Sequence, residues 1–164
     1  LYRYSAAEGL HGPVVRNLLT QNGLAWSPDG RTMYLSDSHP QRRLVWAYDY
    51  DIDAGLPHNE RVFLDLTGQL GRPDGAAVDA DGCYWSCAND GGVVQRFTPQ
   101  GKLDREIALP MAKPSMCAFG GPALDLLLVT SIDPAGAGDP GGDAGSVVVL
   151  RPGVPGIAET PFAV

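Results

Sequence analysis

The sequence predicts an all-β fold, and within that class a β-propeller, on three observations. Gly (21) and Pro (14) supply about a fifth of the 164 residues, Asp outnumbers Glu by 15 to 4, and only 2 lysines are present. That vocabulary is rich in turn formers and poor in the Glu and Lys that cover exposed helix faces. Second, short runs rich in Val, Leu, Tyr, Trp and Phe are separated by turn clusters such as Pro28-Asp29-Gly30, Asp81-Gly82, Asp90-Gly91-Gly92 and Pro99-Gln100-Gly101. Short strands at this spacing belong to a sandwich, a barrel or a propeller. Third, Asn22-Gly-Leu-Ala-Trp-Ser-Pro-Asp-Gly30 aligns without gaps on Asp74-Gly-Ala-Ala-Val-Asp-Ala-Asp-Gly82, 52 residues further on. Repeats of ~40–50 residues, each holding about four strands, are the signature of propeller blades, and they decide among the three architectures.

The elements follow in chain order. Tyr2-Arg3-Tyr4 alternates like the middle of a strand, which sets a first strand at 1–5 and, with a second at 13–19, the end of an earlier blade over 1–19. The next blade is 22–66. Its strand 23–27 opens the repeat, 32–37 carries Met33-Tyr34-Leu35 after the Pro-Asp-Gly turn, and 43–49 and 61–66 are the apolar runs around Leu44-Val-Trp-Ala-Tyr48 and Val62-Phe-Leu64. A further blade, 74–109, repeats the plan with strands at 75–79, 83–88, 93–97 and 103–109. A weaker third copy, Ser115-Met-Cys-Ala-Phe119 before Gly120-Gly121, lies 93 residues after the first. It opens an incomplete last blade, 115–164, with strands at 115–119, 124–131 and 145–151. A propeller must close, because an open fan leaves strand edges and apolar faces bare. Thirteen strands are roughly half of what six blades need, so 1–164 reads as one partial domain of about three blades. The first residue being Leu1, inside a strand pattern, agrees with a C-terminal half that requires a missing N-terminal half.

Composition also excludes whole classes of function. A formal charge of −7 and a pI near 4.7 argue against nucleic acid, whose phosphates need a basic face. No apolar stretch approaches the ~20 residues that cross a bilayer, so no membrane partner is expected. With 44% hydrophobic residues, disorder is excluded, and coiled coils are excluded by the turn content. The three cysteines, Cys83, Cys87 and Cys117, lie in apolar strand-like runs and read as packed free thiols. They favour a reducing, cytoplasmic setting, with the periplasm as the alternative.

In a propeller the innermost strand of each blade lines the central channel, and the residue entering that strand points towards the axis. Those entry positions are Asn22, Asp74 and Ser115. A carboxamide, a carboxylate and a hydroxyl supply hard oxygen donors suited to Ca²⁺, Mg²⁺ or Mn²⁺. Asn-Gly and Asp-Gly are also ordinary turn pairs, but a turn role does not require both to stand at the same place in the repeat.

Asn22-Gly-Leu-Ala-Trp-Ser-Pro-Asp-Gly-Arg-Thr-Met-Tyr-Leu-Ser-Asp-Ser38, Arg72-Pro-Asp-Gly75, Asp81-Gly-Cys-Tyr-Trp85, Cys117-Ala-Phe-Gly-Gly121 and Val129-Thr-Ser131 closely resemble the C-terminal half of the SMP-30/gluconolactonase/regucalcin family, over nearly the whole chain. The resemblance implies a six-bladed propeller with one divalent metal in its channel, held in part by Asn22 and Asp74, and hydrolysis of an aldonolactone such as gluconolactone. Ca²⁺ is the first choice of ion, with Zn²⁺, Mn²⁺, Mg²⁺ and Fe²⁺ as alternatives. The family's third ligand, a glutamate near the N-terminus, has no counterpart in this sequence. Lactone hydrolysis needs a polarised carbonyl and a deprotonated water, which gives Asp74 the part of general base and Ser115 that of a substrate contact. The rival readings are a non-catalytic calcium- or ligand-binding propeller and a hydrolase of another ester or an organophosphate.

Other patterns read as structural. Asp49-Tyr-Asp-Ile-Asp-Ala-Gly-Leu-Pro-His-Asn-Glu60 has EF-hand-like acidic spacing, but its turn glycine is displaced, Pro57 intrudes and strands flank it, so it is expected to be a long polar hairpin loop. His11, His39 and His58 stand in loop contexts without a second histidine at ligand spacing, and the Gly-rich stretch 134–145 reads as a flexible hairpin loop.

Overall fold

The computed structural model describes residues 1–133 and 143–161. Every regular element among them is a strand, and every strand pairs antiparallel with its neighbour in the chain. β1 (Arg3–Ser5) and β2 (Gly9–His11) form a small hairpin. β3 (Gln21–Trp26), β4 (Thr32–Asp37), β5 (Leu44–Asp51) and β6 (Leu56–Asp65) make the first four-stranded sheet. β7 (Arg72–Val78), β8 (Tyr84–Asn89), β9 (Val93–Phe97) and β10 (Leu103–Ala108) make the second. β11 (Pro114–Gly120), β12 (Leu126–Ser131) and β13 (Val147–Leu150) make a three-stranded sheet. The first strands of the three larger sheets stand side by side, β3 against β7 and β7 against β11, so the sheets are successive blades of a β-propeller. Most of the Gly-rich stretch, 134–142, lies outside the described residues.

The blades stick together through apolar side chains that alternate along each strand. Tyr34, Val45 and Leu64 of the first sheet meet Ala76, Val78, Tyr84 and Phe97 of the second. Trp85, Cys87 and Val94 of the second meet Cys117, Leu127 and Val129 of the third. Each fully buried aliphatic or aromatic side chain contributes about 1.5–3 kcal/mol to that packing. Val15 packs the N-terminal segment onto Met33, Leu35, Trp46 and Tyr48. The three cysteines are buried and free. Interaction with the neighbouring Cys117 thiol, together with burial, pushes the Cys87 thiol far above its ordinary value.

Two expectations need correction. Residues 13–19 are not a strand: Pro13 brings no amide donor, the Val14 amide donates to Leu1 O at 2.8 Å, and the amides of Leu19 and Thr20 donate to the Asp37 carboxylate at 2.8 and 2.9 Å. The partner of β1 is instead 9–11. The segment 49–60 is not a long loop either. The β5–β6 ladder runs on to Asp51 opposite Leu56, with Asp49 opposite His58, because cross-strand polar contacts stabilise its exposed end. Asp49 accepts from Asn59 Nδ2 at 2.9 Å and Arg61 Nη1 at 2.8 Å, and Tyr48 donates to Glu60 at 2.8 Å.

Past the end of β7, Asp79 is fully buried. Its Oδ1 accepts the amides of Asp81 and Cys83, each at 3.0 Å, and its Oδ2 accepts Trp85 Nε1 and Arg96 Nε, each at 2.7 Å. Arg96 also reaches Asp81 at 2.8 Å and Asp104 at 2.9 Å, tying the β7–β8 turn to β9 and β10. The chain after β13 returns to this place, where the Ala80 amide donates to Pro155 O at 2.9 Å.

Candidate metal centre

β3, β7 and β11 share an irregularity near their N-terminal ends. The pairing register slips between Asn22 and Ala25 on β3, between Pro73 and Ala76 on β7, and between Pro114 and Met116 on β11. Such bulges turn a side chain out of the regular alternation and recur beside functional sites. Of the residues singled out from the repeat, Asp74 and Ser115 lie inside these slipped segments, and Asn22, paired with Ser36, stands at the edge of its own. Asn22-Gly23 and Asp74-Gly75 are therefore parts of strands and not hairpin turns.

The glycines are required by close approach. Gly23 has φ +56°, and a Cβ there would lie 2.3 Å from Tyr84 Oη and 2.6 Å from Ser36 Oγ. A Cβ on Gly75 would lie 2.6 Å from Ser115 O and 2.7 Å from Met116 Cα. β7 thus touches β11 backbone to backbone next to Asp74. Tyr84, fully buried in β8, donates its hydroxyl to Gly23 O at 2.8 Å.

Each candidate side chain is half-buried and anchored. Asn22 Nδ2 donates to Ser38 Oγ at 2.9 Å, which leaves the carboxamide Oδ1 as its acceptor end. Asp74 Oδ2 accepts from Asn89 Nδ2 at 3.0 Å. Burial pushes the Asp74 carboxyl above its ordinary value, and the pull of Asn89, Arg72 and the Gly75 amide in the other direction does not cancel it. Arg72 is itself tied up, donating to Asn89 Oδ1 at 3.1 Å and to Asp90 at 2.9 Å, while Lys113 bonds the other oxygen of Asp90. The Ser115 hydroxyl shares a hydrogen bond of 2.9 Å with that of Thr130.

A cavity of about 250 Å³ opens between the inner strands, lined by Asn22 with Leu24, Leu35, Gly75, Ala76 and Met116. Of the three candidates Asn22 lines this cavity, while Asp74 and Ser115 border it through their neighbours Gly75 and Met116; a carboxamide oxygen, a carboxylate and a hydroxyl are donors that fit a hard divalent cation and not a thiophilic one. Among the described residues no three His, Cys, Asp or Glu side chains come together as a metal cluster, so cation binding here would draw on Asn22 as well as Asp74. His11 and His58 are exposed, and His39 Nδ1 accepts from the Gln41 amide at 3.3 Å in a turn. Sequence reasoning missed Ser38, Tyr84 and Asn89. Asn89 closes β8 directly before the Asp90-Gly91-Gly92 turn, and its partners, Asp74 in its own blade and Pro114 in the next, are contacts that the repeat does not report.

Residues 1–133 match the model of the SMP-30/Gluconolactonase/LRE-like region. The chain is 40% identical over 151 residues to 6-deoxy-6-sulfogluconolactonase of Pseudomonas putida, covering 90% of this chain and 51% of that one. It is 37% identical over 147 residues to regucalcin of Xenopus laevis, covering 87% and 48%. The solved structure of regucalcin from Agrobacterium tumefaciens, described as a calcium-binding protein, superposes with a TM-score of 0.87 at 28% identity over 99% of this chain and 55% of that one. A gluconolactonase from Xanthomonas campestris gives 0.66 at 31% identity over 79% and 40%. The chain spans about half the length of the curated relatives it matches. On the family match, the identities and the shared blades together, this chain belongs to the SMP-30/gluconolactonase/LRE-like family.

Proposed function

We propose that this chain is part of a divalent-metal-dependent lactonase that hydrolyses an aldonolactone such as gluconolactone. The observation that carries the reading is the pair Asn22 and Asp74, Asn22 at the edge of the bulge on β3 and Asp74 inside that on the adjacent β7, each followed by a glycine that close packing requires. Its relatives include a sulfogluconolactonase and a gluconolactonase. Asn22 and Asp74 would hold the cation, with Ca²⁺ the first candidate because a regucalcin relative is described as calcium-binding. When bound, the cation would supply polarisation of the lactone carbonyl and charge to balance the oxyanion.

The chain's own residues do the remainder. Asp74 takes the proton of the water that adds to the carbonyl carbon, a role suited to a carboxylate raised above its ordinary value by burial. The ring C–O bond then breaks, and its oxygen takes the proton back from the Asp74 carboxyl and leaves as the hydroxyl of the opened acid. Ser115 would donate a hydrogen bond to the sugar. The remaining ligand and most substrate contacts would come from the other half of the propeller. The protein would be cytoplasmic, with neither nucleic acid nor membrane as a partner. A calcium-binding role without catalysis is the second reading, favoured by the regucalcin relatives.

The test is hydrolysis of gluconolactone by the intact protein, followed as proton release before and after chelation and with Ca²⁺, Zn²⁺ or Mn²⁺ restored. Turnover lost with the chelator, regained with an ion and abolished by Asp74→Ala supports the lactonase. A protein that binds Ca²⁺ without turnover moves the assignment to a binder.

A further inference from the structure

One pattern of contacts occurs twice, in neighbouring blades. Ser38, one residue past β4, accepts from Asn22 Nδ2 and donates its hydroxyl to the carbonyl oxygen of Pro73 in the next blade. Asn89, at the end of β8, donates Nδ2 to Asp74 Oδ2 at 3.0 Å and to the carbonyl oxygen of Pro114 in the blade after that, at 3.2 Å. Pro73 immediately precedes Asp74, and Pro114 immediately precedes Ser115. Each side chain therefore joins the candidate residue of its own blade to the backbone just before the candidate residue of the next. Both are buried, Ser38 at 5% and Asn89 at 2% exposure, so neither bond is exchanged readily for water.

The residue types match the task. At Asn89 two acceptors and one donor must be met, namely Asp74 Oδ2, Pro114 O and Arg72 Nη2, and a carboxamide offers two N–H groups and one oxygen. An aspartate of the same shape would face both acceptors with another acceptor. At Ser38 a single hydroxyl accepts from Asn22 and donates to Pro73, using both capacities of the group. Hydrophobic contact between blades is non-directional, whereas these bonds fix the spacing of the inner strands at the height of the site.

We propose that Ser38 and Asn89 are positioning residues that set the spacing between Asn22, Asp74 and Ser115 across three blades, holding their oxygens as one cation- and substrate-binding array. The proposal rests on the reading of Asn22 and Asp74 as cation ligands. The experiment is calorimetric titration of the intact, metal-stripped protein with Ca²⁺, together with gluconolactone kinetics at saturating Ca²⁺, for Ser38→Ala, Asn89→Leu and Asp74→Ala. Second-layer partners of this kind are worth about 10- to 100-fold in metal affinity. Ser38→Ala and Asn89→Leu are expected to weaken Ca²⁺ by that factor and to lower kcat at least 10-fold while KM changes little. Folded variants with wild-type Ca²⁺ affinity and wild-type kcat would overturn the proposal. Ser38→Ala, which removes one oxygen, carries the test if Asn89→Leu does not fold. Asp74→Ala separates the two levels: Ca²⁺ bound as in wild type by that variant would bring down the ligand assignment itself, whereas Ca²⁺ lost there but retained in the other two would bring down only the positioning.

Discussion

Replacing Gly75 by Ala should loosen the contact on which the site is built, and the size of the effect follows from the distances. The added methyl carbon would sit 2.4 Å from Met116 Sδ, 2.6 Å from Ser115 O and 2.7 Å from Met116 Cα. The thioether can swing aside, but the other two atoms are backbone of β11. Ordinary carbon contacts need about 3.5 Å or more, so β11 must retreat from β7 by nearly 1 Å. Overpacking of this kind costs about 1–3 kcal/mol, and a shift of about 1 Å at reacting groups costs on the order of 100-fold in rate. Urea unfolding and lactone hydrolysis of the intact protein would measure the two effects. Gly68→Ala is the control, because a Cβ there meets nothing within 4 Å and its φ is ordinary; it should be neutral or stabilise by a few tenths of a kcal/mol. A Gly75→Ala protein with the wild-type urea midpoint and wild-type turnover would refute the claim that backbone contact between β7 and β11 shapes the site.

Arg96→Met should destabilise by about 3–5 kcal/mol, since it strands the buried Asp79 carboxylate without its cation and releases Asp81 and Asp104; a change in urea midpoint equivalent to under 1 kcal/mol would contradict that. Asp74→Asn should stabilise the metal-free protein at neutral pH while abolishing hydrolysis. Because the folded-state value of Asp74 is raised, its contribution is favourable below the ordinary carboxylate value and is lost as pH rises through the folded value, where the buried group must ionise. The variant's advantage in thermal unfolding should accordingly be present at pH 7 and vanish towards pH 3, and an advantage that grew on acidification would reverse the assignment.

Much of the architecture was legible because its signals are local. The Pro-Asp-Gly turn and the apolar run Met33-Tyr34-Leu35 mark 32–37, the span of β4, and Asp90-Gly91-Gly92 delivers the chain into 93–97, the span of β9. The errors came where a distant partner decides. Residues 13–19 are as apolar as a strand, yet their end is held by the Asp37 carboxylate, a contact no periodicity reports. Asp49 to Glu60 looked like a loop because polar residues crowd it, yet Tyr48, Asp49, Asn59, Glu60 and Arg61 satisfy one another across a ladder. At the site, the repeat picked out Asn22 and Asp74 because equivalent bulges need equivalent sequence. It could not pick out Ser38 and Asn89, whose contacts run from one blade to the next and which fall at unlike points of the alignment.

The two acidic ends of β7 show why sequence and burial alone do not identify a ligand. Asp79 is the more deeply buried of the two, and by that measure the better candidate for a functional carboxylate. A carboxylate offers about four lone-pair positions, and at Asp79 all are taken, two by backbone amides, one by the Trp85 indole and one by Arg96. Nothing is left with which to bind a cation or accept a proton from water. Asp74 receives a side-chain donor on Oδ2 only, and the nearest guanidinium, Arg72, is diverted to Asn89 and Asp90. The strand thus carries one carboxylate saturated by its surroundings and one left short of partners. The shortfall at Asp74 leaves that carboxylate, unlike Asp79, with lone pairs free for a cation or a water proton, which is why the proposed chemistry is assigned to this end of the strand.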